Sequence, residues 1–214
     1  MTLDLTGWLL PALGFAVSMC ASPGPNNVMV AASGATFGFG KSVPHILGIS
    51  VGFPVMLMLI AFGVGGPLQH WPWLQAALRW VGAAYLLWLA WHIATARPST
   101  ANTARANAAR GSRAGGSRPL TFMQAALFQW VNPKAWVTAA GAVVTYTSGS
   151  GAAFAAQAAA LSGLFLLATI PAVSLWTALG AGASRLLRTP AALRRFNLVM
   201  AALLVLSLVA MLRE

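Results

Sequence analysis

Acidic residues are nearly absent from this sequence of 214 residues, which contains 2 Asp and Glu in total against 13 Lys and Arg. The two acids, Asp4 and Glu214, stand near its ends, so no carboxylate falls inside an apolar stretch. A histidine in such a stretch therefore has no acid to orient it as a catalytic base. The metal-binding pattern H-E-x-x-H is missing as well. The sequence predicts that the protein is not an enzyme and holds neither a metal nor a cofactor.

Charged residues and cysteines are also scarce. Charged residues make up 7% of the sequence and hydrophobic residues 58%, whereas soluble proteins carry about 25% charged residues. The mean hydropathy is +0.75. Cys20 is the single cysteine, which excludes an intrachain disulfide. This composition excludes a soluble globular domain and indicates an integral membrane protein.

The apolar residues come in blocks of about 20, the length of a helix that crosses a hydrocarbon core. Six blocks fill the sequence, so we predict an all-α protein with one transmembrane domain over residues 1–214. We expect residues 1–96 and 120–214 to form two halves of three helices each, joined by a flexible cytoplasmic loop at 97–119. An odd number of spans per half makes the halves inverted repeats. The last helix is predicted to run from Phe196 to Leu212.

The net charge of +11 has the distribution of a membrane protein rather than that of a nucleic-acid-binding surface. Basic residues cluster between the apolar blocks, on the side that the positive-inside rule identifies as cytoplasmic. Six spans then place both termini outside the cytoplasm, and no nucleic-acid partner is predicted. The clustered residues are Lys41, Arg97, Arg105, Arg110, Arg113, Arg118, Arg185, Arg188, Arg194 and Arg195.

Prolines interrupt the first and fourth blocks. Ser22-Pro23-Gly24-Pro25-Asn26-Asn27 lies in the first, and Asn132-Pro133-Lys134 lies half a chain length later in the fourth. A proline lacks the N–H that a helix interior needs and clashes with the preceding turn. Backbone groups released inside a membrane must face protein or a watery cavity. Paired breaks at matching places in two halves predict a transporter's binding site.

Lys134 is predicted to lie near the middle of a membrane span, where a charge costs about 2.5 kcal/mol or more. Because no acid is available in the membrane, we expect its counter-charge to arrive with a ligand, as a carboxylate. Half-helices that begin near Pro25 and Pro133 present N–H groups that also attract carboxylates. Two alternatives remain: Lys134 extends to an interface, and the nearby amides cap helix ends and hydrogen-bond across helices. The predicted substrate-binding residues are Pro23, Gly24, Pro25, Asn26, Asn27, Gln129, Asn132, Pro133 and Lys134.

The second block carries Lys41, His45, Gly48 and Gly52 on one helical face. Gly48 and Gly52 are spaced like the small residues that let two membrane helices approach closely. His45 is a candidate for proton coupling, because the reference pKa of histidine is near 6.5. The alternative is a structural histidine near the cytoplasmic end of a span.

Four stretches resemble the LysE/RhtB family of amino-acid exporters. They are Pro23-Gly24-Pro25-Asn26-Asn27, the glycines Gly48 and Gly52, the run from Gly82 to Trp91, and Asn132-Pro133-Lys134. The similarity is greatest to the branch that exports cysteine and O-acetylserine. The resemblance implies six helices and proton-driven efflux through a bacterial inner membrane, which would make both termini periplasmic.

One position departs from the family pattern. Many relatives carry an acid after the second-helix glycine, where this chain has Phe53. The departure argues against proton coupling through a carboxylate there and against cationic substrates. We therefore expect export of small neutral amino acids or derivatives, of the cysteine/O-acetylserine or homoserine/threonine type, with the bilayer as the other partner and homo-oligomerisation left open. A passive channel and a non-transporting membrane scaffold are the alternatives.

Overall fold

The computed structural model describes residues 4–64, 72–95, 119–186 and 189–213. Within these ranges every regular element is a helix and none is a strand. A π-helical turn at Leu5–Leu9 precedes α1, a second at Ile60–Val64 follows α3, and a 3-10 turn at Gln129–Val131 joins α5 to α6. The α-helices are α1 (Leu10–Ala21), α2 (Pro25–Phe37), α3 (Phe39–Leu59), α4 (Pro72–Thr95), α5 (Phe122–Phe128), α6 (Pro133–Tyr146), α7 (Gly151–Leu186) and α8 (Pro190–Arg213). The predicted loop at 97–119 lies outside the described residues except for Pro119.

Two stretches of the described chain are long and apolar enough to cross a membrane as single helices. They are Phe39–Gly63, with a mean hydropathy of 2.3, and Gly151–Ala183, with 2.0. A third span is formed if Leu5–Ala21 and Pro25–Phe37, which meet at a bend of 52°, count as one. The described part of the molecule is therefore an all-helical protein with candidate membrane spans.

The helix boundaries follow from proline and glycine chemistry. Proline occupies the first position of α2, α6 and α8, where its missing N–H is not needed. Gly38 ends α2 with a φ of 83°, in the left-handed region that favours glycine. The prediction that the last helix begins at Phe196 was wrong. It begins at Pro190, because the hydroxyl of Thr189 accepts the Ala192 N–H at 3.2 Å and caps it.

Helix α7 lies at the centre of the fold and packs against α1, α2 and α3, whereas α4 packs against α8. The main buried cluster joins α7 to the first helix, to α3 and to α6. Its large members include Trp8, Phe53, Met56, Leu161 and Phe165. The helix α7 therefore faces the bend between α1 and α2 and the start of α6 at the same time.

Glycines allow the closest helix contacts. A β-carbon at Gly180 of α7 would lie 2.7 Å from the carbonyl carbon of Ala31 in α2, and one at Gly34 would meet the Thr177 backbone in return. The seam predicted at Gly48 and Gly52 lies against α5 in the same manner. Small residues thus determine how closely α2 approaches α7 and α3 approaches α5.

We expect Gly180→Ala to lower stability, because its β-carbon would meet backbone atoms that cannot rotate away. Overpacking of this kind costs about 1–3 kcal/mol. The matched control is Gly182→Ala on the same helix, where an added β-carbon meets nothing within 4 Å and a small gain is expected. Thermal unfolding of both variants in detergent would check this, and equal melting temperatures would contradict it.

Candidate functional site

An internal cavity lies where the end of α1, the start of α2 and the start of α6 face α3 and α7. Its volume is about 50 Å³, larger than the roughly 10–15 Å³ that a single water molecule needs. Fourteen residues line it, and no carboxylate is among them. They are Met19, Cys20, Gly24, Asn26, Asn27, Ile49, Phe53, Asn132, Lys134, Ala135, Thr138, Phe165, Thr169 and Val173.

The carbonyl groups at the end of α1 accept hydrogen bonds from side chains outside their own helix. The Asn27 side chain donates to the carbonyls of Cys20 and Ser22, at 2.8 Å each. The Trp176 indole donates to the carbonyl of Ala21 at 3.2 Å. These carbonyls no longer have helical partners, and in a membrane the protein must supply them. The interruption is therefore satisfied by α2 and α7.

Lys134 completes this set of donors from the other half of the chain. Its ammonium donates to the Ser22 hydroxyl at 2.7 Å, to the Ser22 carbonyl at 3.0 Å and to the Pro23 carbonyl at 3.3 Å. An ammonium has three donors, and a cation is favoured at the carbonyl end of a helix. The lysine therefore joins the beginning of α6 to the end of α1 through the protein's own oxygens.

Gly24 leaves the space that the lysine occupies. A β-carbon at position 24 would lie 2.9 Å from Cδ and 3.0 Å from Nζ of Lys134. The backbone of Gly24 is extended, with a φ of −179°, so any residue would adopt its conformation. Glycine provides clearance here, and a larger residue would require the flexible lysine side chain to move.

Two helix N-termini face the cavity without side-chain caps. Gly24 precedes α2 and Asn132 precedes α6, and neither position carries a side-chain capping bond. The first N–H groups of a helix have no helical acceptor. Asn132 is 2% exposed, and within the described chain its Oδ1 has no hydrogen-bond partner. The cavity thus lies beside the first N–H groups of α2 and beside Asn132, whose buried oxygen is unpaired within the described chain.

Asn26 and Gln129 form a reciprocal amide pair between the two halves. The Asn26 amide donates to Gln129 at 2.9 Å, and the Gln129 amide donates back at 3.2 Å and also to the Ala125 carbonyl at 2.9 Å. Gln129 is fully buried, at 0% exposure. These bonds occupy most of the donors and acceptors of both amides. The pair connects the halves at the cavity, which Asn26 lines.

The far wall of the cavity is partly apolar. Phe53 of α3 and Phe165 of α7 pack edge to face with ring centroids 5.0 Å apart. Beside them, the Cys20 thiol and the Thr169 hydroxyl lie within hydrogen-bond distance, at 3.3 Å. This wall therefore combines two aromatic rings with one small polar pair.

His45 is not among the residues that line the cavity. It is buried between α3 and α2, and its Nδ1 lies 3.2 Å from the Ser33 hydroxyl. The histidine therefore joins α3 to α2.

The sequence profile of one family covers this whole region. The LysE type translocator profile matches residues 17–213, which include every residue that lines the cavity. The chain belongs to the LysE type translocator family.

Several curated relatives of this translocator carry the same name. A cysteine/O-acetylserine efflux protein of Klebsiella pneumoniae is 34% identical over 41% of this chain and 45% of its own length. Proteins of that name from Salmonella choleraesuis and Escherichia coli O157:H7 are 43% and 33% identical, over 35% and 53% of this chain and 38% and 52% of their own lengths. The chain thus spans about half or less of the curated relatives it matches. No solved structure matches it significantly.

Of the predicted site residues, five line the cavity of the translocator: Gly24, Asn26, Asn27, Asn132 and Lys134. Pro23, Pro25, Gln129 and Pro133 are not among the lining residues, although the Pro23 carbonyl and the Gln129 amide support residues that are.

The sequence reasoning missed Cys20, Thr138 and Thr169. Thr138 lies one helical turn after Lys134, so its place could have been inferred from Lys134. Thr169 carries no sequence signal, because only the packing of α7 brings it to the cavity.

We expect Asn26→Ala and Gln129→Ala each to destabilise the translocator, because each leaves an amide without its partner. Removing one partner of a buried hydrogen bond costs about 1–3 kcal/mol. Once one amide is gone, the second removal should cost less, with a coupling of about 0.6–1.7 kcal/mol as found for other membrane helices. Thermal unfolding of both single variants and the double variant would measure this, and additive losses would contradict it.

Proposed function

We propose that this protein is a secondary transporter of the bacterial inner membrane that exports small neutral amino acids or their derivatives by alternating access. The observation that carries the proposal is the cavity in which Lys134 and the uncapped start of α2 meet without any lining carboxylate. It is a site with excess positive character and no internal acid to neutralise it. An anionic group on the transported molecule supplies that charge.

The substrate carboxylate binds to Lys134 and to the first N–H groups of α2. Charge-assisted hydrogen bonds of this kind are roughly twice as strong as neutral ones. In the present arrangement the lysine is held by Ser22 and Pro23. A carboxylate would draw the ammonium away from these carbonyl groups, so that substrate binding changes how the two halves are joined.

The substrate ammonium binds to the Asn132 amide oxygen. This oxygen has no partner within the described chain, and leaving a buried acceptor unpaired costs about 1–3 kcal/mol. An ammonium provides three donors for it and for other polar atoms. Two charged groups close together, as in an amino acid, match Lys134 and Asn132.

The walls favour a small and neutral side chain. Phe53 and Phe165 close one side of the cavity, and a cavity of about 50 Å³ suits a short side chain. A cationic side chain would meet no carboxylate among the lining residues. The curated relatives are named for the export of cysteine and O-acetylserine, which are small and carry no cationic side chain.

The proposed architecture has six spans in two inverted halves, with α1 and α2 forming the broken first span and α5 and α6 the broken fourth. Each break begins its second half-helix at a proline, Pro25 or Pro133. With ten basic residues on the cytoplasmic side, both termini are periplasmic. Matching interrupted helices in opposed halves suit a site that opens to either side in turn.

Counterflow in proteoliposomes tests the proposal. Liposomes preloaded with an unlabelled small amino acid should take up the labelled one transiently above equilibrium, and the rate should saturate with concentration. A passive channel would give uptake without an overshoot, and a scaffold would give none. No saturable exchange of any neutral amino acid, with or without a pH gradient, would overturn the proposal.

Export is proposed to be coupled to protons, with His45 as the candidate carrier. We expect His45→Gln to keep exchange at equal pH, because an amide can still bond to Ser33. The same variant should lose the acceleration that a pH gradient gives the wild type. Retained acceleration would assign His45 a structural role only, and Ser33→Ala controls for the loss of the bond itself.

A further inference from the structure

We propose that Cys20 and Thr169 form the subsite that reads the substrate's side chain, and that they select a short side chain ending in a hydroxyl or a thiol. This inference rests on the proposed function and names the part of the cavity that sets its specificity. Neither residue belongs to the interrupted segments Ser22–Asn27 and Asn132–Lys134.

The position of Cys20 relative to Lys134 supports this assignment. Cys20 lies in the last turn of α1, two residues before Ser22, whose two oxygens hold the lysine ammonium. A carboxylate bound at Lys134 would therefore lie in the same cavity as the Cys20 side chain. Asn132, the unpartnered and buried acceptor of the same cavity, independently indicates that a polar ligand belongs there.

The thiol and the hydroxyl retain bonding capacity after they have paired with each other. Their atoms are 3.3 Å apart, and either can be the donor. If the thiol donates, the hydroxyl hydrogen of Thr169 remains available as a donor. If the hydroxyl donates, the thiol hydrogen of Cys20 remains available. Lone pairs remain in both cases. The pair can therefore donate to and accept from one hydroxyl or thiol of a substrate.

The neighbouring side chains limit the length of what is bound. Phe165 precedes Thr169 by one turn of α7, so both lie on the same face. Phe165 packs against Phe53, and both rings line the cavity. A long or charged side chain would meet these rings, whereas a side chain of one or two atoms would end at the polar pair.

Competition in counterflow is the first test, with radiolabelled L-serine exchanging and L-serine or L-alanine as the unlabelled competitor. We expect wild type to prefer L-serine and Thr169→Val to reduce the preference about fivefold to tenfold, the value of one net hydrogen bond. Thr169→Ser should restore it. The matched control is Thr177→Val on the same helix, whose hydroxyl donates to the Val173 carbonyl and which does not line the cavity.

Alkylation gives a readout that does not depend on transport, because Cys20 is the single thiol of the chain. N-ethylmaleimide should modify Cys20, and L-serine should slow this reaction more than L-alanine does. Equal protection, or an unchanged preference in Thr169→Val, would overturn the subsite while leaving export intact. Exchange of L-alanine but not of L-serine by wild type would also overturn the subsite while leaving export intact. If wild type exchanges no amino acid at all, the proposed function fails first.

Discussion

Lys134→Ala should reduce amino-acid exchange by roughly a hundredfold. The variant removes the one cation that lines the cavity, so a bound carboxylate loses a charge-assisted partner worth about 1.5–3 kcal/mol. Each 1.4 kcal/mol corresponds to a tenfold change in affinity. Initial counterflow rates at several substrate concentrations would measure the loss.

The same lysine also holds the end of α1, so a loss of exchange in Lys134→Ala could come from a weakened fold. Lys134→Gln separates the two roles, because its amide can still donate to Ser22 or Pro23 but carries no charge. We expect Lys134→Gln to melt close to wild type and to exchange as poorly as Lys134→Ala. The control is Lys41→Ala, an exposed lysine in the first turn of α3. Near-normal exchange by Lys134→Gln would mean that the charge does not bind the substrate.

The residues that could be predicted from sequence are those whose chemistry disfavours a place in a regular apolar helix. Proline disfavours a helix interior, and Pro25 and Pro133 each begin a new helix, although Pro44, Pro54 and Pro171 lie inside α3 and α7. Lys134 cannot lie unpaired in an apolar span without cost. These local facts were enough to indicate where a site should be sought. They follow from the chemistry of each residue and do not depend on how the rest of the chain folds.

The partners of those residues could not be predicted, because they depend on how distant helices pack. Asn26 and Gln129 were expected either to bind a substrate or to hydrogen-bond across helices, and the structure shows that they bond to each other across 103 positions while Asn26 also lines the cavity. Lys134 was expected to pair with the carboxylate of a ligand. In the structure, its ammonium donates to backbone carbonyls and a hydroxyl. A sequence shows that a polar group needs a partner, and only the tertiary structure shows which one it has.

Gly24→Val should abolish exchange while leaving the helices intact. Its β-carbon would occupy the place of the Lys134 side chain, 2.9 Å from Cδ, and its methyl groups would take part of the small cavity. The backbone is extended at this position, so the loss would not come from strain. Gly24→Ala, with one carbon, should give an intermediate rate because the flexible lysine can partly move aside.

The control for this series is Gly14→Val on α1, where an added β-carbon meets nothing within 4 Å. The double variant Gly24→Val with Lys134→Ala shows whether the effect passes through the lysine. If valine acts by displacing the ammonium, the double variant should melt no lower than Lys134→Ala alone, because the displaced group is already gone. An additive loss of stability would mean that position 24 clashes with something else. Near-normal exchange by Gly24→Val would place the substrate outside this cavity, since a cavity that small cannot hold both the substrate and the valine side chain.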